Sequence, residues 1–270
     1  MKKNLVITGA TNGIGLSVVK QLANKNFRIF LIGKNKVKGD QIIKNFNNPN
    51  LNYINCDLSE LSEIKALINE LNKLDRIDIL INNAGAIFSK RVLNSNKIEK
   101  TFVLNHLSHF FLTLGLVEKL KLSNDPMVIN VTSQAHKRYN LDLNDIENKK
   151  FYSGWKSYCR SKLLNVLFTY EFSKRYNIRC NCLHPGFVNT TFGNNNISLF
   201  GFAVNILKNI FAISPEKGSE TIIHLIFNDL KVSGRYFKKC KEFKSSNLSY
   251  DKNLSKQVWD LSYKYIEKYL

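Results

Sequence analysis

With 270 residues, 44% of them hydrophobic, the chain can fill one large α/β core or two small ones. No run approaches the ~18 uninterrupted apolar residues of a membrane-crossing helix, and the lysine-led start MKKNLVITGA is too short in its apolar part for a secretory leader. A formal charge of +19 raises nucleic acid or an anionic membrane as partners, yet the basic residues are mostly Lys, scattered along the whole length among abundant Asn, which reads as a solvated surface with no nucleic-acid partner.

Residues 4–8 (NLVIT) predict a first strand, and 13–24 carry apolar residues at helical spacing. A second strand at 28–32 precedes a helix over 37–46, and a third at 51–55 precedes an amphipathic helix over 60–71. The fourth strand, 78–81 (DILI), leads to a long helical pattern over 98–120, and the fifth, 127–132 (MVINVT), leads to a helix over 153–176. A sixth strand at 178–183, a helix at 216–227, a short strand at 234–237 (GRYF) and a closing helix at 253–268 complete the series. Strands alternating with helices predict one α/β domain over 1–270, a doubly wound Rossmann-type fold with a central parallel sheet. Neither a linker nor an internal repeat interrupts it. The five cysteines are odd in number and lack paired metal spacing; Cys180 and Cys182 read as core thiols sharing a strand face, and no metal site is expected. With the start read as a strand, a reducing compartment, the cytoplasm, is the expectation.

Two local patterns carry chemistry. Gly9, Gly13 and Gly15 (TGATNGIG) lie between the first strand and the first helix, where a chain can turn sharply and a pyrophosphate can approach N–H groups at a helix start. The spacing is G-x-x-x-G-x-G, so the strand–helix context is what gives it weight. Tyr158 and Lys162 stand one helical turn apart on a shared face. A lysine charge beside a phenol favours the phenolate and should bring its pKa from ~10 toward the working range.

These segments stand in order with CDL at 56–58, NNAG at 82–85, Asn105 in VLNHL, VTS at 131–133 and HPGFVNT at 184–190. Together they make the chain resemble a short-chain dehydrogenase/reductase over essentially its whole length. VTSQAHKR, YCRSKLLNVLFTYE, SPEKGSET, SGRYF and VWDLS are similar to the retinol dehydrogenase-like and WW-domain oxidoreductase-like branch. Neither a WW domain nor an N-terminal membrane anchor is expected ahead of the first strand.

The resemblance implies roles for matching positions. Tyr158 would exchange a proton with the substrate oxygen, Ser133 would hydrogen-bond that oxygen, Lys162 would hold the nicotinamide ribose and lower the Tyr158 pKa, and Asn105 would hold a water in a proton relay. Gly9, Thr11, Asn12, Gly13, Ile14 and Gly15 would cradle the cofactor phosphates, with Asp57 and Leu58 near the adenine. Asn83, Ala84 and Gly85 would flank the cofactor, and Pro185, Gly186, Val188 and Thr190 (or Thr191) would lie against the nicotinamide end. Plainer readings stay open: Ser133 as a strand-end cap, Asn105 as a polar residue that kinks its helix, Asp57 as the N-cap of the helix at 60–71, and His184 as a packing histidine.

At the end of the second strand no carboxylate is in view to repel a 2′-phosphate, and Lys34 offers a cation, so NADP(H) is expected in preference to NAD(H). After the PGFVNT turn, Leu199, Phe202, Ala203, Ile206, Leu207, Ile210 and Phe211 form an apolar stripe at helical spacing within a segment near 191–214. In the family this region covers the substrate, which implies a small lipophilic carbonyl or alcohol, of the retinoid, steroid or aldehyde class. The stripe equally suits core packing or peripheral contact with a membrane. A homodimer is compatible with this reading, and a non-catalytic cofactor-binding or protein-interaction member of the same fold is the alternative.

Overall fold

The computed structural model describes residues 2–138, 141–186, 213–228 and 230–270. Among them, one sheet of eight strands runs in the order β3-β2-β1-β4-β5-β6-β7-β8. The strands are β1 (Lys3–Thr8), β2 (Phe27–Gly33), β3 (Leu51–Asn55), β4 (Ile79–Asn82), β5 (Met127–Val131), β6 (Arg179–His184), β7 (Tyr236–Lys238) and β8 (Lys241–Glu242). All neighbours pair in parallel except β7 and β8. Strand order reverses between β1 and β4, so the connections leaving these two strands part to opposite sides and open a crevice at their C-terminal ends.

Period-two alternation decides which face each side chain enters. Leu5, Ile7, Ile29 and Leu31 point into a core with Val18, Val19 and Leu22 of α1 (Gly13–Leu22), with α2 (Lys36–Phe46) packed on its margin through Ile42, Ile43 and Phe46. Val6, Phe30 and Ile32 enter the opposite core. There they meet Ile64, Leu67 and Ile68 of α3 (Leu61–Leu71) and helices further along the chain. Burial on both faces explains why the strands read as near-continuous apolar runs.

The pattern predicted one helix over 98–120, and here the structure differs. A short α4 (Lys100–Phe102) widens into a π-helical turn at Val103–Leu107, returns to α geometry in α5 (Ser108–Gly115), then breaks before α6 (Val117–Lys121). The widened turn contains Asn105, which is fully buried and turns its amide toward Ala86, accepting from Ala86 N at 2.8 Å and donating to Ala86 O at 2.9 Å. The break follows Gly115, where any Cβ would come within 2.5 Å of Ile68 Cδ1, so α5 and α3 touch there.

The helix predicted at 153–176 forms α7 (Gly154–Arg175), which packs Leu163, Leu164, Leu167 and Phe168 against the second core. The last two are α8 (Pro215–Phe227), joined to α1 by Gln21 Nε2 donating to Ser219 Oγ at 2.6 Å, and α9 (Lys252–Ile266), which buries Val258 and Trp259. The β7–β8 hairpin was not predicted: its turn uses Lys239 (φ 51°) and Cys240 (φ 59°) where glycine or asparagine would have signalled it.

Candidate active site

The glycine loop leaves β1 with Gly9 at φ 64° and Gly13 at φ 52°, both in the left-handed region that favours glycine. A Cβ on Gly15 would fall 2.3 Å from Gly9 O, so only glycine lets the loop close on the start of α1. Asn12 caps that helix, its Oδ1 accepting from Gly13 N at 2.7 Å, and by helix geometry the first N–H groups, through Ile14 and Gly15, project outward. Thr11 packs on Gly33, where a Cβ would lie 2.8 Å from its methyl group.

The segment after β4 is stitched to this loop. Thr8 Oγ1 accepts from Asn83 N at 2.9 Å and Ala84 N at 3.0 Å, and Asn83 Nδ2 donates to Thr8 O at 2.8 Å and Gly9 O at 3.3 Å. Asn83 and Ala84 therefore lie beside Gly9 and Gly15.

Lys34 and Asp57 meet at the ends of β2 and β3, Nζ to Oδ2 at 2.6 Å. A carboxylate thus does stand beside Lys34, which corrects the expectation drawn from β2 alone. Asp57 is also not the cap of α3: Glu60 occupies that position, and Asp57 Oδ1 accepts from Ser59 N at 3.0 Å and Ser59 Oγ at 2.7 Å. Burial pulls the Asp57 pKa upward, but the bonds from Lys34 and Ser59 outweigh it and hold the carboxyl below its usual range. Leu58 turns inward and is buried in the core of α3.

Ser133 follows β5, and Tyr158 and Lys162 approach this strand end from α7. Tyr158 is half-buried and hydrogen-bonded to Ser133. Lys162 is 3% exposed; its Nζ donates to Val131 O at 3.0 Å and lies 5.6 Å from the Tyr158 ring centre. Thr132 Oγ1 donates to Lys162 O at 2.7 Å, which fixes α7 to the end of β5. Burial lowers Lys162 to about 8. Burial also pushes Tyr158 up to about 12 against the Ser133 hydrogen bond, the reverse of the lowering expected from a neighbouring lysine. The cause is enclosure of the phenol, which spacing alone does not reveal.

Gly85 connects Lys162 to Asn105: a Cβ there would lie 3.3 Å from both Lys162 Nζ and Asn105 Oδ1. Asn105 Nδ2 also donates to Ser161 Oγ at 3.1 Å. Pro185 and Gly186 (φ 98°) close β6, while Val188, Thr190, Thr191 and the apolar stripe from Leu199 to Phe211 lie outside the described residues. Burial drops His184 to about 4, in keeping with a packing histidine. Sequence reasoning passed over Asn165, His109 and Trp155; the first two are polar residues inside apolar helical runs, and that mismatch was their signal.

Residues 3–198 match the family described as short chain dehydrogenase. Human (Homo sapiens) retinol dehydrogenase 11 is 31% identical over 270 residues, covering 96% of this chain and 84% of that protein. Human polyprenol dehydrogenase is 30% identical over 273 residues, covering 95% and 83%. In fold, the crystal structure of an uncharacterized protein from Mycobacterium Paratuberculosis aligns with a TM-score of 0.81 at 24% identity, over 98% of this chain and 93% of that one. With a glycine loop at the β1–β4 crevice and its motifs in family order, the chain belongs to the short-chain dehydrogenase/reductases, NAD(P)(H)-binding oxidoreductases acting on CH–OH and carbonyl groups, and is retinol dehydrogenase-like.

Proposed function

We propose that this enzyme interconverts a lipophilic alcohol and its carbonyl, with Tyr158 as acid–base and NADP(H) preferred over NAD(H). The observation that carries the reading is the Ser133–Tyr158 hydrogen bond beside the buried Lys162 ammonium. The residues fit a dinucleotide: the positive-φ glycines open the start of α1, and the space beside Gly85 is kept free of any Cβ between Lys162 and Asn105. When bound, the nicotinamide supplies the hydride or accepts it.

The chain's own groups handle the oxygen and its proton. A phenol held near 12 keeps its proton at neutral pH, so Tyr158 is ready to donate to an oxygen that becomes an alkoxide. Ser133 orients the same oxygen by a second hydrogen bond. Lys162 has three N–H donors, of which Val131 O takes one; the ribose hydroxyls suit the others. Asn105 Oδ1 accepts from Ala86 N and has acceptor capacity for a water in the space beside Gly85, a route by which Lys162 can pass a proton outward.

The cofactor preference rests on Lys34, 72% exposed and able to exchange Asp57 for a 2′-phosphate. The lipophilic substrate is supported by relatives named for retinol and polyprenol. We take 1–270 as one domain in which residues near 191–214 cover the substrate. Peripheral membrane contact and a homodimer belong to the same reading; vesicle sedimentation and sizing test them. The central test is a panel of apolar and small carbonyls and alcohols, followed by NADPH and NADH absorbance in parallel. Turnover of apolar members with NADPH is expected, and its absence across the panel overturns the reading.

A further inference from the structure

Trp155 stands on the first turn of α7, and its ring stacks on that of Tyr158 with centroids 5.9 Å apart and planes at 30°. The chain has a second tryptophan, Trp259, which is 5% exposed within a cluster of core aromatics, whereas Trp155 is 38% exposed. An indole at the surface leaves apolar area in water that burial would otherwise turn to stability. Among the described residues, its one ring partner is the tyrosine on which the proposed chemistry depends.

The indole is not carried on a loose segment. Ser153 Oγ caps α7 by accepting from Lys156 N at 3.4 Å. Gly154 is pressed against Phe88, where a Cβ would come within 2.2 Å of Phe88 O. Tyr152 donates its hydroxyl to the same Phe88 O at 2.9 Å. These contacts tie the start of α7 to the chain that follows Asn83–Gly85, and so fix Trp155 relative to the cofactor side of the crevice. A flat, pre-positioned aromatic surface presents contact area at little entropic cost.

We propose that Trp155 is a specificity residue. Its indole, stacked on the Tyr158 ring, offers its exposed outer surface as an apolar contact that selects carbonyl compounds in which a planar, conjugated or ring-bearing group adjoins the reacting carbon. This rests on the reading of Tyr158 as acid–base. A carbonyl oxygen bonded to the Tyr158 hydroxyl lies about 3 Å from it, so the group attached to the carbonyl carbon is carried along the stacked rings. A flat group keeps van der Waals contact over that surface; a short alkyl group is too small to use it.

The experiment compares Trp155→Ala and Trp155→Phe with wild type on two aldehydes, 2-naphthaldehyde and propanal, with NADPH. The ratio of kcat/KM for naphthaldehyde over propanal is expected to fall about 10- to 100-fold in Trp155→Ala, chiefly through KM, and to recover largely in Trp155→Phe. Titrating 2-naphthalenemethanol without cofactor should quench tryptophan emission in wild type, and the Phe variant should lose that quench. An unchanged ratio, or a quench that survives in Trp155→Phe, overturns the role of Trp155 and leaves the catalytic reading standing. A wild type that reduces neither aldehyde nor any member of the wider carbonyl panel overturns the catalytic reading first, and the role of Trp155 with it.

Discussion

The side-chain amide of Asn165 donates to the backbone carbonyl of Asn105 at 2.8 Å and reaches His109 Nδ1 at 3.1 Å. Because that amide nitrogen can only donate, His109 Nδ1 accepts, and its proton sits on Nε2, which lies 2.9 Å from Ala84 O. Asn165 Oδ1 in turn accepts from His106 Nδ1 at 3.0 Å. Burial keeps both imidazoles neutral, His106 at about 4 and His109 well below its usual value. One amide thus joins the helix of Lys162, the widened turn of Asn105 and the strand end at Ala84.

Replacing Asn165 with Leu keeps the volume and removes these bonds. Buried donors and acceptors left unpaired cost about 1–3 kcal/mol each, so the variant should melt earlier. Turnover should drop by about 10- to 100-fold, the scale of a small misplacement of reacting groups. Wild-type kcat/KM in a folded Asn165→Leu protein would show that the network does not position the site.

Tyr158→Phe removes the exchangeable proton and keeps the ring that stacks on Trp155. Loss of turnover by about 10²–10⁴-fold is expected, with NADPH affinity near wild type. Calorimetric titration and steady-state rates on the same preparation separate the two quantities, and retained turnover refutes the acid–base role.

Lys34→Asp would place a second carboxylate beside Asp57 where the ion pair now stands. A hydrogen bond to a charged group is worth about 1.5–3 kcal/mol, so the affinity ratio of NADPH to NADH should fall about 10-fold or more. Competition binding reads the ratio directly; no change would place the 2′-phosphate elsewhere.

Burial lowers Lys162 to about 8, so in the free enzyme its charge is present below that pH and lost as pH rises through it. A site that needs the ammonium should show kcat/KM falling on the alkaline side of about 8, with the limb moved upward in Lys162→Arg, whose guanidinium stays charged. A kcat/KM profile flat from pH 7 to well above 9 (pH values of the assay, about two units spanning the limb) would exclude this lysine as the titrating group.

Most of the strand sequence was legible because a sheet covered on both faces needs uninterrupted apolar runs, and Leu5–Ile7 and Ile79–Ile81 are such runs. The pairing of Lys34 with Asp57 was not, since it depends on β2 lying beside β3 with Gly33 opposite Asn55, a fact of strand order. The raised Tyr158 pKa likewise follows from what encloses the phenol, whereas the Tyr–Lys spacing reports only that the two share a face. The sequence offered Asn105 as a kink in its helix but not as a π-helical turn, since the partner of its backbone carbonyl, the amide of Asn165, lies on another helix.

Thr8 receives both Asn83 N and Ala84 N on one hydroxyl, while Gly9 sits so close to Ala84 that a Cβ would come within 2.9 Å of its Cα. The glycine loop and the segment after β4 are therefore a single replaceable part. Transplanting the glycine loop of a relative to alter cofactor choice should fail to fold cleanly unless the residues after β4 travel with it, and a library that varies the two loops independently will consist mostly of mismatched halves.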